Sequence, residues 1–139
     1  MKKILVTGAF GLVGSDLVPA LQKKYGHTNV YALYHAHGDT KADVQLIKGD
    51  VRDNAGLEKI IKKHGITTVY HLAGLLSVGG EKNPDLAWDV NMNGLRNVLD
   101  LARDYSLQVF WPSSIAGESG WRAGVMAMSR LQRWPNPSV

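Results

Sequence analysis

The sequence predicts an α/β fold, a doubly wound parallel sheet of about five strands, on three observations. Short apolar runs alternate with longer amphipathic stretches along the chain; strands separated by helices pair in parallel through right-handed crossovers. The first run, Ile4-Leu5-Val6, leads directly into Thr7-Gly8-Ala9-Phe10-Gly11-Leu12-Val13-Gly14, a glycine-spaced turn that opens onto a helical pattern. The 139 residues are 45% hydrophobic and 20% charged, a balance that buries a core and argues against disorder.

Strands are expected at 3–7, 29–34, 44–48, 67–72 and 107–111. Each run is short, several are β-branched or aromatic, and each is bounded by Gly, Pro, Asp or Ser. Between them, 11–25 carries Leu12, Leu17 and Leu21 among polar residues and is closed by Gly26-His27. The stretch 54–64 places Leu57, Ile60 and Ile61 on one helical face and is followed by Gly65. The longest, 84–105, has Leu95, Val98, Leu99 and Ala102 at helical spacing, with Pro84 suited to a first turn. No repeat, low-complexity tract or linker precedes about residue 116. Residues 1–116 therefore read as one nucleotide-binding domain and 117–139 as a divergent tail, disordered or aberrant, whose Pro135-Asn136-Pro137 suits an exposed end.

Composition removes several function classes. Without cysteine there is no disulfide and no thiolate metal site, and nothing calls for an oxidising compartment. The opening Met1-Lys2-Lys3-Ile4 does not lead into a signal peptide, because the apolar stretch breaks at Thr7-Gly8. No segment approaches a membrane span, so a cytoplasmic protein without a membrane partner is expected. The net charge of +4 comes from scattered lysines and arginines, with only Lys62-Lys63 and Arg122, Arg130 and Arg133 loosely grouped. That is a solvated surface rather than a nucleic-acid face.

Four strand ends carry candidate chemistry. In the glycine turn, Gly8 permits the bend, Gly11 lets the backbone approach a phosphate and Gly14 allows close helix–strand packing. The helix that follows adds about half a positive charge at its N-terminus, which suits the pyrophosphate of a dinucleotide and makes the fold Rossmann-type. Gly49-Asp50-Val51-Arg52-Asp53 offers a carboxylate to an adenine amino group with Val51 near the ring; the competing reading is a turn in which Asp53 caps the next helix. In His71-Leu72-Ala73-Gly74, small residues leave room for a nicotinamide ribose, while a lone His71 at a strand end reads as structural. Trp111-Pro112-Ser113-Ser114-Ile115-Ala116 puts hydroxyls at a carboxyl strand edge, where open α/β sheets bind ligands; a plain loop serine is the alternative.

The set TGAFGLVG, GDVRD, YHLAG, VNMNGLRNVL and PSSIA resembles the extended short-chain dehydrogenase/reductase superfamily. The strings YHLAGLLSVGGEKNP, AWDVNMNGL and VFWPSSIA narrow the resemblance to its bacterial L-threonine 3-dehydrogenases, over residues 1 to about 116. The resemblance implies NAD as cofactor, L-threonine as substrate with 2-amino-3-oxobutanoate as product, a homodimer, and no metal. It implies that Gly8, Gly11 and Gly14, with the backbone of Phe10, Leu12 and Val13, hold the pyrophosphate. Asp50 and Val51 would meet the adenine, and Leu72, Ala73 and Gly74 would line the path to the nicotinamide. Asn91, matching the helix asparagine of VNxNG, joins the cofactor site. Ser114 matches the catalytic serine or threonine that polarises the reacting hydroxyl, and Ser77 and Ser113 fall where substrate contacts are expected.

Two departures shape the functional expectation. The acid that selects NAD at the end of the second strand is missing, since Tyr31-Ala32-Leu33-Tyr34-His35-Ala36-His37 has no carboxylate before Asp39 and no arginine. The Tyr-x-x-x-Lys that moves the proton in this superfamily is also missing: the last tyrosine is Tyr105 and the last lysine Lys82. Met126-Ala127-Met128-Ser129-Arg130-Leu131 echoes that helix only by chance, because a thioether delivers no proton. The chain thus reads as a truncated cofactor-binding portion, lacking the sixth strand and the substrate region, with apolar surface left bare on the fifth strand. The rival readings are a nucleotide-sugar epimerase or reductase of the same superfamily and a non-catalytic NAD(P)-binding sensor.

Overall fold

A computed structural model describes residues 2–35, 43–73, 83–113 and 124–128. Strand β1 (Ile4–Thr7) enters helix α1 (Leu12–Tyr25) through the glycine turn, and a single 3-10 turn leads to β2 (Val30–Tyr34). Next come β3 (Gln45–Lys48), α2 (Asn54–His64) and β4 (Thr68–His71). Helix α3 (Pro84–Trp88) runs through a π-helical turn (Asp89–Asn93) into α4 (Gly94–Tyr105), which precedes β5 (Gln108–Ser113) and β6 (Gly124–Met128).

The strands form one sheet in the order β3-β2-β1-β4-β5-β6. The first five are parallel, as expected, with Ile4 flanked by Val30 on one side and Thr68 on the other. Every residue of β1 is buried, the mark of a parallel strand covered on both faces. Alternation then sorts the core into two layers. Ile4, Val6, Val30 and Ala32 meet Val18 and Leu21 of α1 on one face. Leu5, Leu33, Val69 and Val109 meet Leu57 and Ile61 of α2 and Val98, Leu101 and Ala102 of α4 on the other.

Local signals place the helix ends. Asp53 caps α2 by accepting from Gly56 N–H at 3.1 Å, and Gly65 ends that helix in the left-handed region at φ 63°. Asn83 caps α3 by accepting from Leu86 N–H at 3.1 Å, with Pro84 in the first turn. The helix read at 84–105 is one rod interrupted by the π turn.

Beyond the five parallel strands expected, the sheet carries a sixth that no local pattern announced. β6 lies in the stretch read as a divergent tail and pairs antiparallel with β5, from Val109↔Met128 to Ser113↔Gly124. The edge of β5, expected to be bare, is therefore paired over this length. A strand edge offers unpaired N–H and C=O groups that any neighbouring segment can satisfy, a demand no local pattern in 124–128 reveals.

Candidate functional site

The sheet order reverses between β1 and β4, and the carboxyl ends of these two strands frame the candidate site. Gly8 bends the chain there at φ +66°, and a Cβ on it would stand 2.7 Å from Ala73 N and from Leu72 C and O. A Cβ on Gly14 would stand 2.5 Å from the carbonyl oxygens of Gly8 and Ala9. These two glycines are thus demanded by the protein's own backbone packing. Gly11 is different. It is exposed, and among the described residues a Cβ on it would meet only Gly8 O, at 3.4 Å. Among the described residues, the space in front of Gly11 is open.

That space lies over the N-terminus of α1. Gly11 is the N-cap residue and supplies no side-chain acceptor, and the first turn carries no acid, whereas α2 and α3 are capped by Asp53 and Asn83. Ser15 Oγ instead turns back to donate to Gly11 O at 2.7 Å. The first-turn N–H groups of such a helix lack intrahelical partners, and the helix dipole favours an anion in front of them. The backbone of Leu12 and Val13 opens this helix, with Phe10 half-buried beside it.

Thr7 fastens the loop to β4. Its Oγ1 accepts from the N–H groups of Leu72 and Ala73, each at 3.1 Å, and lies 2.9 Å from His71 Nδ1. Both lone pairs are engaged, so the hydroxyl hydrogen goes to Nδ1 and His71 carries its own hydrogen on Nε2. His71 is 1% exposed, and burial lowers its pKa from 6.5 to about 4. It is a neutral structural imidazole at neutral pH, as its place at a strand end suggested.

At the end of β3, Arg52 grips Asp50. Its Nε stands 3.0 Å from Oδ1 and 3.1 Å from Oδ2, its Nη2 2.7 Å from Oδ2, and its backbone N–H donates to Oδ1 at 2.9 Å. These hydrogen bonds hold the carboxyl of Asp50 below its ordinary pKa against the opposing effect of burial. Arg52 Nη1 also lies 3.6 Å from Asp89 Oδ2 in the π turn, and His35 Nε2 lies 3.4 Å from Asp50 Oδ2. Val51 is buried, its Cγ2 facing Gly94 and its carbonyl accepting from Asn97 Nδ2 at 3.0 Å. Its side chain therefore supports the Asp50 loop from within the core.

Asn91 stands in the π turn, exposed, on the same rod as Asp89. Ser113 ends β5 through its backbone pairing with Gly124. Gly74, Ser77 and Ser114 lie outside the described residues, as does the side chain of Ser113. The sequence reading missed Thr7, Gly94 and Asn97, whose roles follow from strand register and helix packing. It also missed the Arg52–Asp50 grip, which adjacency within GDVRD could have signalled. Among the described residues, no cluster of His, Asp and Glu could hold a metal ion, and no helix is long and apolar enough to cross a membrane.

A parallel sheet ordered 3-2-1-4-5, with a glycine loop and an uncapped helix at its switch point, defines a Rossmann-type α/β domain. The chain belongs to the NAD dependent epimerase/dehydratase family, whose model matches residues 4–126. It is 42% identical over 118 residues to an uncharacterized epimerase/dehydratase of Staphylococcus saprophyticus, covering 83% of this chain and 37% of that protein. Its fold is similar to a monomeric L-threonine 3-dehydrogenase of metagenomic origin, with TM-score 0.77, 48% identity, and 81% of this chain and 36% of the other covered. It is also similar to the Thermus thermophilus UDP-glucose 4-epimerase in complex with NAD, with TM-score 0.68, 26% identity, and 86% and 42% covered. The chain thus spans little more than a third of the length of the first two.

Proposed function

We propose that this chain is the NAD-binding portion of a dehydrogenase of the L-threonine 3-dehydrogenase type, and that as a 139-residue polypeptide it binds the dinucleotide without appreciable turnover. The observation that carries the cofactor reading is the open space at Gly11 over the uncapped start of α1. Gly8 and Gly14 shape that cradle, Leu12 and Val13 offer backbone N–H groups to the pyrophosphate, and the ionised Asp50 accepts from the adenine amino group. NAD, when bound, supplies a hydride acceptor. The substrate class follows the higher likeness, 48% identity to an L-threonine 3-dehydrogenase against 26% to an epimerase.

Removing hydride from the Cβ–H of L-threonine also requires a base for the hydroxyl proton. Ser114 would hold that hydroxyl, but a serine hydroxyl is a poor proton acceptor, and the chain contains no Tyr-x-x-x-Lys. His71 cannot substitute, because its ring is buried and its Nδ1 is occupied by Thr7. Calorimetric titration of the purified chain with NAD+ and NADH, beside an NADH-formation assay with L-threonine, tests the proposal. Binding without turnover is the expected result. Robust NADH formation would overturn the second half, and failure to bind either dinucleotide would overturn the first. Interconversion of UDP-glucose and UDP-galactose would point instead to the epimerase reading.

A further inference from the structure

Asp50, the carboxylate offered to the adenine, already has its acceptor positions filled. An ionised carboxylate has about four of them, two on each oxygen. On Asp50, Oδ1 accepts from Arg52 N–H at 2.9 Å and from Arg52 Nε at 3.0 Å; Oδ2 accepts from the same Nε at 3.1 Å and from Nη2 at 2.7 Å. The cause is local. The Arg52 N–H donating to a carboxylate two residues earlier closes a turn across Val51, and that turn brings the guanidinium back alongside Asp50. His35 Nε2 stands 3.4 Å from Oδ2 as well. A base arriving at this corner meets a saturated acceptor.

The guanidinium has a second carboxylate within reach. Among the described residues Arg52 pairs with Asp50 and, more loosely, with Asp89, whose Oδ2 lies 3.6 Å from Nη1. Asp89 is held ready for a closer contact. Its Oδ1 accepts from Asn93 Nδ2 at 2.9 Å inside the π turn, and its Oδ2 is the oxygen facing Arg52. All three side chains are partly exposed, so the guanidinium can move without opening the core. The backbone below it cannot follow, because Val51 is buried and its carbonyl accepts from Asn97 Nδ2 at 3.0 Å. Any adjustment at this corner therefore falls on the Arg52 side chain.

We propose that Arg52 sets how strongly the site reads the nucleobase: it competes with the adenine amino group for Asp50, and gives way by shifting its guanidinium onto Asp89. This rests on the dinucleotide reading above and adds to it a residue that determines base specificity. The two competitors offer Asp50 the same chemistry, since an amino group and a guanidinium both bring N–H donors to a carboxylate oxygen. A 6-oxo base such as hypoxanthine brings an acceptor instead, so it gains nothing from Asp50 and leaves Arg52 in place. The amino base gains its bond to Asp50 but displaces one that Arg52 already makes. With Arg52 present the two bases should therefore bind with similar affinity. Without it the amino base meets a free carboxylate, and the 6-oxo base meets an unneutralised one that repels its oxygen.

The test is calorimetric titration of the 139-residue chain with NAD+ and with nicotinamide hypoxanthine dinucleotide, for wild type, Arg52→Met and Asp89→Asn. Wild type should prefer NAD+ by no more than about threefold. Arg52→Met keeps an apolar stem and removes the competing donors, and should raise the preference to at least about tenfold, the value of a hydrogen bond to a charged group. Asp89→Asn takes away the second carboxylate, so NAD+ affinity should fall by about threefold while the hypoxanthine analogue binds as before. A merely supporting role for Arg52 would lower both affinities together. An unchanged or smaller preference in Arg52→Met, or an unaltered one in Asp89→Asn, would overturn this inference while leaving the dinucleotide reading intact. A wild-type chain that binds neither dinucleotide would overturn both.

Discussion

Thr7 and His71 join the ends of β1 and β4 through one hydroxyl, with Oγ1 2.9 Å from the imidazole Nδ1 and accepting two backbone N–H groups of the next turn. The two residues are directly paired in the sheet register, and both are fully buried. Thr7→Val keeps the shape and removes the oxygen. Leu72 N–H still reaches Thr7 O at 3.1 Å, but Ala73 N–H and His71 Nδ1 lose their partner. Two polar groups left unpaired should cost about 3 kcal/mol of unfolding free energy. Thr7→Ser, which retains the oxygen, should lose far less. Urea denaturation of the three proteins checks this, and equal stability of the valine and serine variants would contradict it.

Burial of His71 also predicts a pH dependence. Its pKa is lowered from 6.5 to about 4 because the fold desolvates the charged ring. The unfolded chain therefore binds the proton at a higher pH than the folded one, and stability falls on acidification. The contribution is complete above the ordinary value of 6.5 and is lost as pH falls through about 4. Over that window the loss amounts to about 3 kcal/mol. The lowered carboxyl of Asp50 acts below this window, since its ordinary value is 3.8, whereas that of Glu58, lowered from 4.5, adds to the loss at the acid end. His71→Asn, which keeps an acceptor for Thr7 and cannot titrate, should flatten the slope between these limits. An unchanged slope would show that another group is responsible.

The glycines of the loop should separate stability from binding. Gly14→Ala drives a Cβ to 2.5 Å from two backbone carbonyl oxygens, so the helix must move off the loop. Such overpacking costs about 1–3 kcal/mol or more. Gly11→Ala meets only Gly8 O at 3.4 Å and keeps an ordinary φ of −76°, so stability should change by less than about 1 kcal/mol. Its methyl group would instead occupy the ligand's space, and NAD+ affinity should fall by at least about tenfold. Thermal melts paired with calorimetry separate the two effects. Normal NAD+ binding by a folded Gly11→Ala variant would remove the pyrophosphate from this loop.

The five parallel strands were legible because each is a short apolar run between chain-bending residues, and α2 because Asp53 and Gly65 mark its ends chemically. The tertiary features were not. Strand β6 forms because the β5 edge needs a partner, a demand invisible in Gly124–Met128 itself. The π turn at Asp89–Asn93 is buried in a pattern that reads as one long helix. Within the site, the glycine loop was readable because its chemistry is local. The hub at Thr7 depends on its register against His71, 64 residues away, and no spacing rule links them. In the sequence His35 marks only the lack of an acid; its facing Asp50 emerges from the pairing of β2 with β3.

Helix α4 packs against the Asp50 loop through Gly94 and Val51. Gly94 opens α4, buried, with Val51 Cγ2 only 2.8 Å and Val51 Cβ 3.3 Å from where its own Cβ would be. Val51 cannot simply retreat, because its carbonyl is held by Asn97 Nδ2 and its side chain belongs to the core beneath β3 and α2. Gly94→Ala should therefore destabilise the fold by about 1–3 kcal/mol, and it should weaken NAD+ binding because the strain falls on the residue next to Asp50. Val51→Ala removes the obstructing methyl groups and leaves a gap that the methyl group introduced by Gly94→Ala can fill. The double variant should thus be more stable than the sum of the single losses predicts, by about 1 kcal/mol in a double-mutant cycle. Urea denaturation of the four proteins measures this coupling. Strict additivity would mean that Gly94 is glycine for the sake of the π turn before it, not for Val51.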